Sequence, residues 1–233
     1  GRPTMIKAVA IHHPDGTKLR WEFDFTQHGT MRMNRNLLAE TPEWILLTYC
    51  QCPACTLDPV EHPICPVAEV LSGYAYDLRD RKSFEQVTVE VFRDNAPTVM
   101  LRNIPLQTVV SEVVRLAVFQ YECPIGRQIK PALVKLPPFP TSEEILAAFA
   151  QAFAAGRTDD EGGLRAEDRA FLESLHDLFG NLSVRLDRIG RGDAHLNGVV
   201  ILHSLAVLFT LSAPELIRVL SDKAKPAAPP SLS

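Results

Sequence analysis

The chain has 233 residues, 46% of them hydrophobic and 22% charged, with a formal net charge of −4 and a pI near 6.0. That balance is ordinary for a globular protein and is enough for one large domain or two small ones. It carries neither the basic footprint of a nucleic-acid binder nor a lysine and arginine block suited to an anionic membrane surface.

The opening GRPTMIKAVAIHH lacks the long apolar run of a secretory signal, and Met5 reads as a start. IKAVAIHH and LRWEFDF then flank PDGTK, whose Pro-Asp-Gly is a turn signal, so a β-hairpin is expected. Trp21, Phe23 and Phe25 alternate with Glu22 and Asp24, which gives the second strand one apolar face. His12 and His13 fall at the turn and are expected in solvent. After the polar stretch TQHGTMRMNRN, EWILLTY is predicted as a strand entering a cysteine loop.

PVAEVLSGYAYDLRD has helical spacing, with Pro66 suited to the first turn and an apolar stripe of Val67, Val70, Leu71, Tyr74 and Leu78. EQVTVEVFRD and PTVMLRN read as strands, and PLQTVVSEVVRLAVFQYE as a helix ending just before Cys123-Pro124. The proline-rich CPIGRQIKPALVKLPPFPTSEE is predicted to be an irregular linker. Beyond it the pattern is helical. Thr141 or Ser142 can cap a helix over 143–155, a long helix covers about 165–189, and GRG closes it. Asp193 can cap an apolar helix that includes 197–211, read as a core helix because a membrane span needs about 20 apolar residues. Ser212-Ala-Pro214-Glu215 resembles a further helix start, and the small, proline-rich tail is expected to be disordered. The expected fold class is α+β. Residues 5–137 form antiparallel strands, two helices and the cysteine loop, residues 138–222 form a helical half sharing its core, and 223–233 are the tail.

The loop YCQCPACTLDPVEHPICPVAE holds Cys50, Cys52, Cys55 and Cys65, four of the five cysteines in the chain. Reduced cysteines clustered this closely point to metal or redox chemistry rather than to a disulfide framework. The C-x-x-C of Cys52 and Cys55 lets two thiolates converge from one tight turn, and Cys65 supplies a third ligand. A tetrahedral site needs a fourth, and Cys123, His62 and Cys50 are the candidates. Zinc, an iron–sulfur cluster and a metal-free oxidisable thiol cluster are the possible states.

TPEWILLTYCQCPACTL with HPICPVAEVL, IPLQTVVSEVVRLAVFQYECPIG, KPALVKLPPFPTSEEI and GDAHLNGVVILHSLA together resemble an uncharacterised bacterial family, a domain of unknown function, over roughly Trp21 to Leu220. Its signature is Pro-x-Trp-Thr-x-Leu, Gln-Cys-x-x-Cys-Pro-Leu and Cys-Pro-x-Ala. The resemblance implies that the recurring cysteines are Cys52, Cys55, Cys65 and Cys123, with Cys50 and His62 particular to this chain. Ile45 and Thr56 depart from its usual threonine and proline, and KLPPF lacks its histidine.

No phosphate-binding, dinucleotide, nucleophile-elbow or zinc-protease motif occurs. Asp193, His195 and Asn197 form one polar cluster, read as helix capping and packing ahead of a cleft. The expectation is a non-enzymatic cytoplasmic protein with a four-cysteine metal site, zinc favoured, acting as an interaction or regulatory module for a protein partner, with homodimerisation open. The alternative is an iron–sulfur or thiol-based redox sensor or electron carrier.

Overall fold

The structure, a computed structural model, describes residues 6–25, 31–33, 41–118, 122–133, 136–154 and 165–224. The α+β expectation holds. β1 (Ile6–His12) and β2 (Lys18–Phe25) form the hairpin, and β3 (Met31–Met33), β4 (Gln86–Arg93) and β5 (Ala96–Pro105) complete an antiparallel sheet in the order β3-β2-β1-β4-β5. The hairpin register pairs Val9 with Trp21 and Ile11 with Leu19. Gly16, at φ +84°, supplies the left-handed turn residue that Pro-Asp-Gly calls for.

Alternation along the strands puts Val9, Ile11, Trp21, Val87, Val89 and Val91 on one buried face. Two helices pack there, α1 (Pro66–Leu78) and α2 (Leu106–Val118). Tyr74 meets Trp21 edge-on at 5.0 Å between ring centres, and the Trp21 Nε1–H donates to Asp77 at 2.8 Å. His13 corrects an expectation: it is buried, and its Nδ1 lies 2.7 Å from Glu85, which Arg81 also contacts at 3.3 Å. The β4 side of the turn covers it, which a hairpin considered alone would not reveal.

α4 (Ser142–Ala154), α5 (Ala166–Leu186) and α6 (Ala194–Ala224) make the helical half. Thr141 caps α4 reciprocally: its hydroxyl accepts from the Glu144 N–H, and the Glu144 carboxylate accepts from the Thr141 N–H. One hydrophobic cluster runs from the sheet through α1 and α2 into α5 and α6, so the halves share a core. Gly198 lies where α6 packs on α2. A Cβ there would lie 2.4 Å from Val110 Cγ1 and 2.8 Å from the Ser111 nitrogen, so only glycine lets α6 approach α2.

Three sequence expectations are corrected. EWILLTY is not a strand but two 3-10 turns, Glu43–Ile45 and Leu47–Tyr49, with a single bridge between Leu46 and Ile64. Its carbonyls are taken by the Arg185 side chain rather than by a neighbouring strand. The expected linker contains a helix, α3 (Gly126–Leu133). Pro124 falls in its entry turn, where a missing N–H costs nothing, and the Cys123 carbonyl accepts from the Arg127 N–H at 3.0 Å. The helix start expected at Ser212 is interior to α6, because a proline removes one backbone bond without ending a helix whose flanking turns persist. Within α6, Ala194–Leu211 is long and apolar enough to cross a membrane by length and composition, but 44% of that window is buried inside the protein, against α2, α4 and α5. The acidic break at 155–164, the last residues expected of α2 at 119–121 and the tail at 225–233 lie outside the described residues.

Candidate metal centre

The cysteine loop is built as a closed neck with a tight tip. At the neck, Leu47 N–H donates to the Pro63 carbonyl at 2.8 Å and Cys65 N–H to the Ile45 carbonyl at 2.9 Å. Cys52 and Cys55 face each other across a turn closed by the Cys55 N–H on the Cys52 carbonyl at 2.9 Å, with Pro53 at the position whose φ it pre-sets. The Gln51 amide holds the tip by donating to the Leu57 carbonyl at 2.9 Å.

Two of the three Cys-Pro units stand at helix starts. Cys65 precedes Pro66 at the start of α1, and its carbonyl accepts from the Glu69 N–H at 2.9 Å. Cys123-Pro124 leads into α3 one turn earlier than its first residue, Gly126, and the Cys123 Sγ accepts from the Gly126 N–H at 3.3 Å. Each cysteine therefore stands at the start of a helix, near its positive end.

All five cysteines line one small pocket of about 20 Å³, and α5 supplies its far wall through Asn181 and Arg185. Cys50 donates its S–H to Asn181 Oδ1 at 3.1 Å. Burial pushes the Cys52 thiol up to about 11, against the opposing hydrogen bond from Asn181 and with the nearby Cys65 and Cys55 adding to the rise. Burial likewise pushes Cys123 up to about 12, against the Gly126 N–H. Both are the reverse of an activated nucleophile, whose pKa is depressed. Among the described residues no three His, Cys, Asp or Glu side chains already converge as a metal-ligand group, so the thiols surround the pocket without meeting at a point. His62 is exposed on the outer side of the loop and does not line the pocket.

Arg185 is the residue that sequence reasoning missed. It is 1% exposed. Its guanidinium donates to the carbonyls of Trp44, of Leu46 and Cys50 at 2.8 Å each and of Leu47 at 3.4 Å. Among the described residues no carboxylate pairs with it. A signal was available: Leu178, Leu182 and Arg185 follow one helical stripe, and a basic residue on an apolar stripe asks for a reason.

Of the polar cluster, His195 lines a small, largely apolar cavity of about 10 Å³ with Trp21, Tyr74 and Leu186. The Asp193 carboxylate accepts from the Ser83 N–H at 2.7 Å, the Ser83 hydroxyl at 2.9 Å and the Asn197 amide at 3.1 Å. These bonds hold its pKa below the ordinary value. His195 is buried with Nε2 3.1 Å from the Leu186 carbonyl, and burial lowers its pKa. The cluster ties the start of α6 to the turn after α1, where Gly192 N–H also donates to the Arg79 carbonyl at 2.7 Å.

No curated protein and no solved structure matches the chain. A family model described as a domain of unknown function (DUF6901) matches residues 10–223, and the chain belongs to that family.

Proposed function

We propose that this member of a family without an assigned function uses Cys52, Cys55, Cys65 and Cys123 to hold one zinc ion, and that it acts as a non-enzymatic interaction or regulatory module in the cytoplasm. The observation that carries the reading is that four thiols from three chain segments line one pocket beside a buried arginine that has no carboxylate partner among the described residues. A buried cation alone is costly, because a charge in a low-dielectric interior needs an opposite charge. A zinc ion with four thiolates carries two negative charges, which Arg185 and the two helix N-termini offset. The pocket volume, about 20 Å³, suits one ion better than a multi-atom cluster.

Zinc at this place would fasten the loop, the start of α1 and the start of α3 together, so binding energy becomes folding energy. The partner surface is the helical half. Val184 on α5 and Val200, Leu208 and Leu211 on α6 are between 42% and 77% exposed, apolar side chains available to a protein partner or a second copy of the chain.

One observation favours the redox alternative: Cys50 is a fifth thiol on the same pocket, one more than a zinc site needs. Metal analysis with a visible spectrum, on protein purified without oxygen, separates the readings. The expected result is one zinc per chain and no colour. Iron with sulfide and visible absorption would overturn zinc in favour of a cluster, and protein without metal would leave only the thiol reading.

A further inference from the structure

α2 contains a second buried charge arrangement, whose residues do not line the thiol pocket. Glu112 and Arg115, three residues apart, share one helix face, and the pair is bidentate: Arg115 Nε donates to Oε2 at 2.8 Å and Nη2 to Oε1 at 2.7 Å. The two side chains are 2% and 4% exposed. A fold does not need such a pair, since apolar residues of similar volume usually stabilise as well or better.

The pair does not sit in packed core. It lines a cavity of about 260 Å³ between α2, α6 and the segment leading into α4, against about 20 Å³ for the thiol pocket. A cavity of about 150 Å³ is enough to admit benzene when its walls are apolar. Here Phe139, Ile201 and Leu205 provide the apolar walls, while Thr108 and Ser142, both exposed, mark where the cavity meets solvent. Phe139 adds an independent observation. It has φ +55° although it is aromatic and precedes Pro140, a conformation disfavoured on both counts. Backbone strain of this kind collects at ligand sites, and Phe139 belongs to the KLPPF stretch that the metal reading leaves unexplained.

The polar chemistry specifies the ligand. Among the described residues the Glu112 carboxylate accepts only from Arg115, and a carboxylate has about four acceptor sites, so acceptor capacity remains at the cavity wall. Arg115 fixes the carboxylate and offsets its charge, which leaves a wall that is polar but neutral overall. Such a wall favours a neutral donor over a cation or an anion. We propose that this cavity binds a small, uncharged, largely apolar molecule bearing one hydrogen-bond donor, a phenol or an indole in chemical type. Its O–H or N–H is given to Glu112 and its ring lies against Phe139, Ile201 and Leu205.

The test is calorimetric titration of the whole protein with phenol and with toluene, which has nearly the same shape but no donor. Saturable phenol binding at least tenfold tighter than toluene is expected, with amide shifts at 108–115 and 139–145 in NMR spectra. Ile201→Trp, which fills the cavity, should abolish binding while leaving helical circular dichroism and metal content unchanged. Should that variant not fold, Leu205→Phe takes its place, and the comparison of phenol with toluene in the unaltered protein needs no variant at all. Equal binding of the two probes, no binding of either, or undiminished phenol binding by a folded filled-cavity variant would overturn the proposal.

Discussion

The Arg185 guanidinium donates to the Cys50 carbonyl at 2.8 Å, and through this bond α5 fixes the chain as it enters the cysteine loop. The same side chain takes the carbonyls of Trp44, Leu46 and Leu47, so one cation replaces the partner strand that EWILLTY lacks.

Replacing Arg185 with methionine keeps the volume and removes the donors. The buried carbonyls then lose their partner, at a cost of about 3 kcal/mol, which lowers the melting temperature by roughly 10 °C in a chain of this length. If Arg185 also balances the thiolates, zinc affinity falls a further ~10-fold or more, as for other residues that support metal ligands. Melting and zinc competition on the same variant read the two effects separately; unchanged zinc affinity would remove the charge-balance role.

Serine substitutions sort the thiols. Cys52→Ser, Cys55→Ser, Cys65→Ser and Cys123→Ser should each lose bound zinc or weaken it by orders of magnitude, because a structural site needs all four ligands. Cys50→Ser and His62→Ala should retain one zinc per chain. Metal content after dialysis against a weak chelator checks this, and a Cys123→Ser protein that binds and melts as the unaltered chain does would reject the ligand set.

Zinc binding should be steeply pH-dependent. Cys52 and Cys123 are raised to about 11 and about 12, so at neutral pH both are protonated before metal arrives. Each thiol that must ionise contributes roughly a tenfold gain in affinity per pH unit below its pKa. Proton release on zinc addition, followed in weak buffer, should therefore show at least two protons per ion at pH 7.

Acid should unfold the protein in two stages. His195 has a folded-state pKa below its ordinary 6.5, so its contribution to stability is complete above that value and is lost as pH falls through the depressed one. Asp193, also depressed, contributes above its ordinary 3.8 and loses that contribution at still lower pH. Asp193→Asn should cost about 1 kcal/mol at neutral pH through weakened bonds to Ser83, with the difference from the unaltered chain vanishing in strong acid. Urea titrations from pH 7 to pH 2.5 test the order of the two losses.

Gly198→Ala opposes two effects of known sign. Helix propensity favours alanine by up to about 1 kcal/mol, whereas the clash with Val110 and the Ser111 backbone forces α6 away from α2. Overpacking of this kind costs about 1–3 kcal/mol, so a net loss of stability is expected. A gain in a urea titration would mean that α2 and α6 can separate without cost.

By itself the sequence determined the elements whose signals are local. Alternation defined β1, β2 and β4, Pro66 marked the start of α1, Thr141 and Glu144 announced α4, and the spacing of Cys52, Cys55 and Cys65 singled out a thiol loop. These depend on side-chain period and on groups a few residues apart, which the order of residues displays directly. The 3-10 turns at Glu43–Tyr49, the helix α3 inside a proline-rich run, the burial of His13 and the unbroken course of α6 were decided by tertiary structure. In the first and third cases the deciding contact is long-range: Arg185 satisfies carbonyls about 140 positions away, and Glu85 meets His13 across 72. The gathering of Cys123 with the loop thiols and the pairing of Glu112 with a cavity beside α6 have the same origin. A linear pattern records which groups need a partner, and only the packed chain decides which partner arrives.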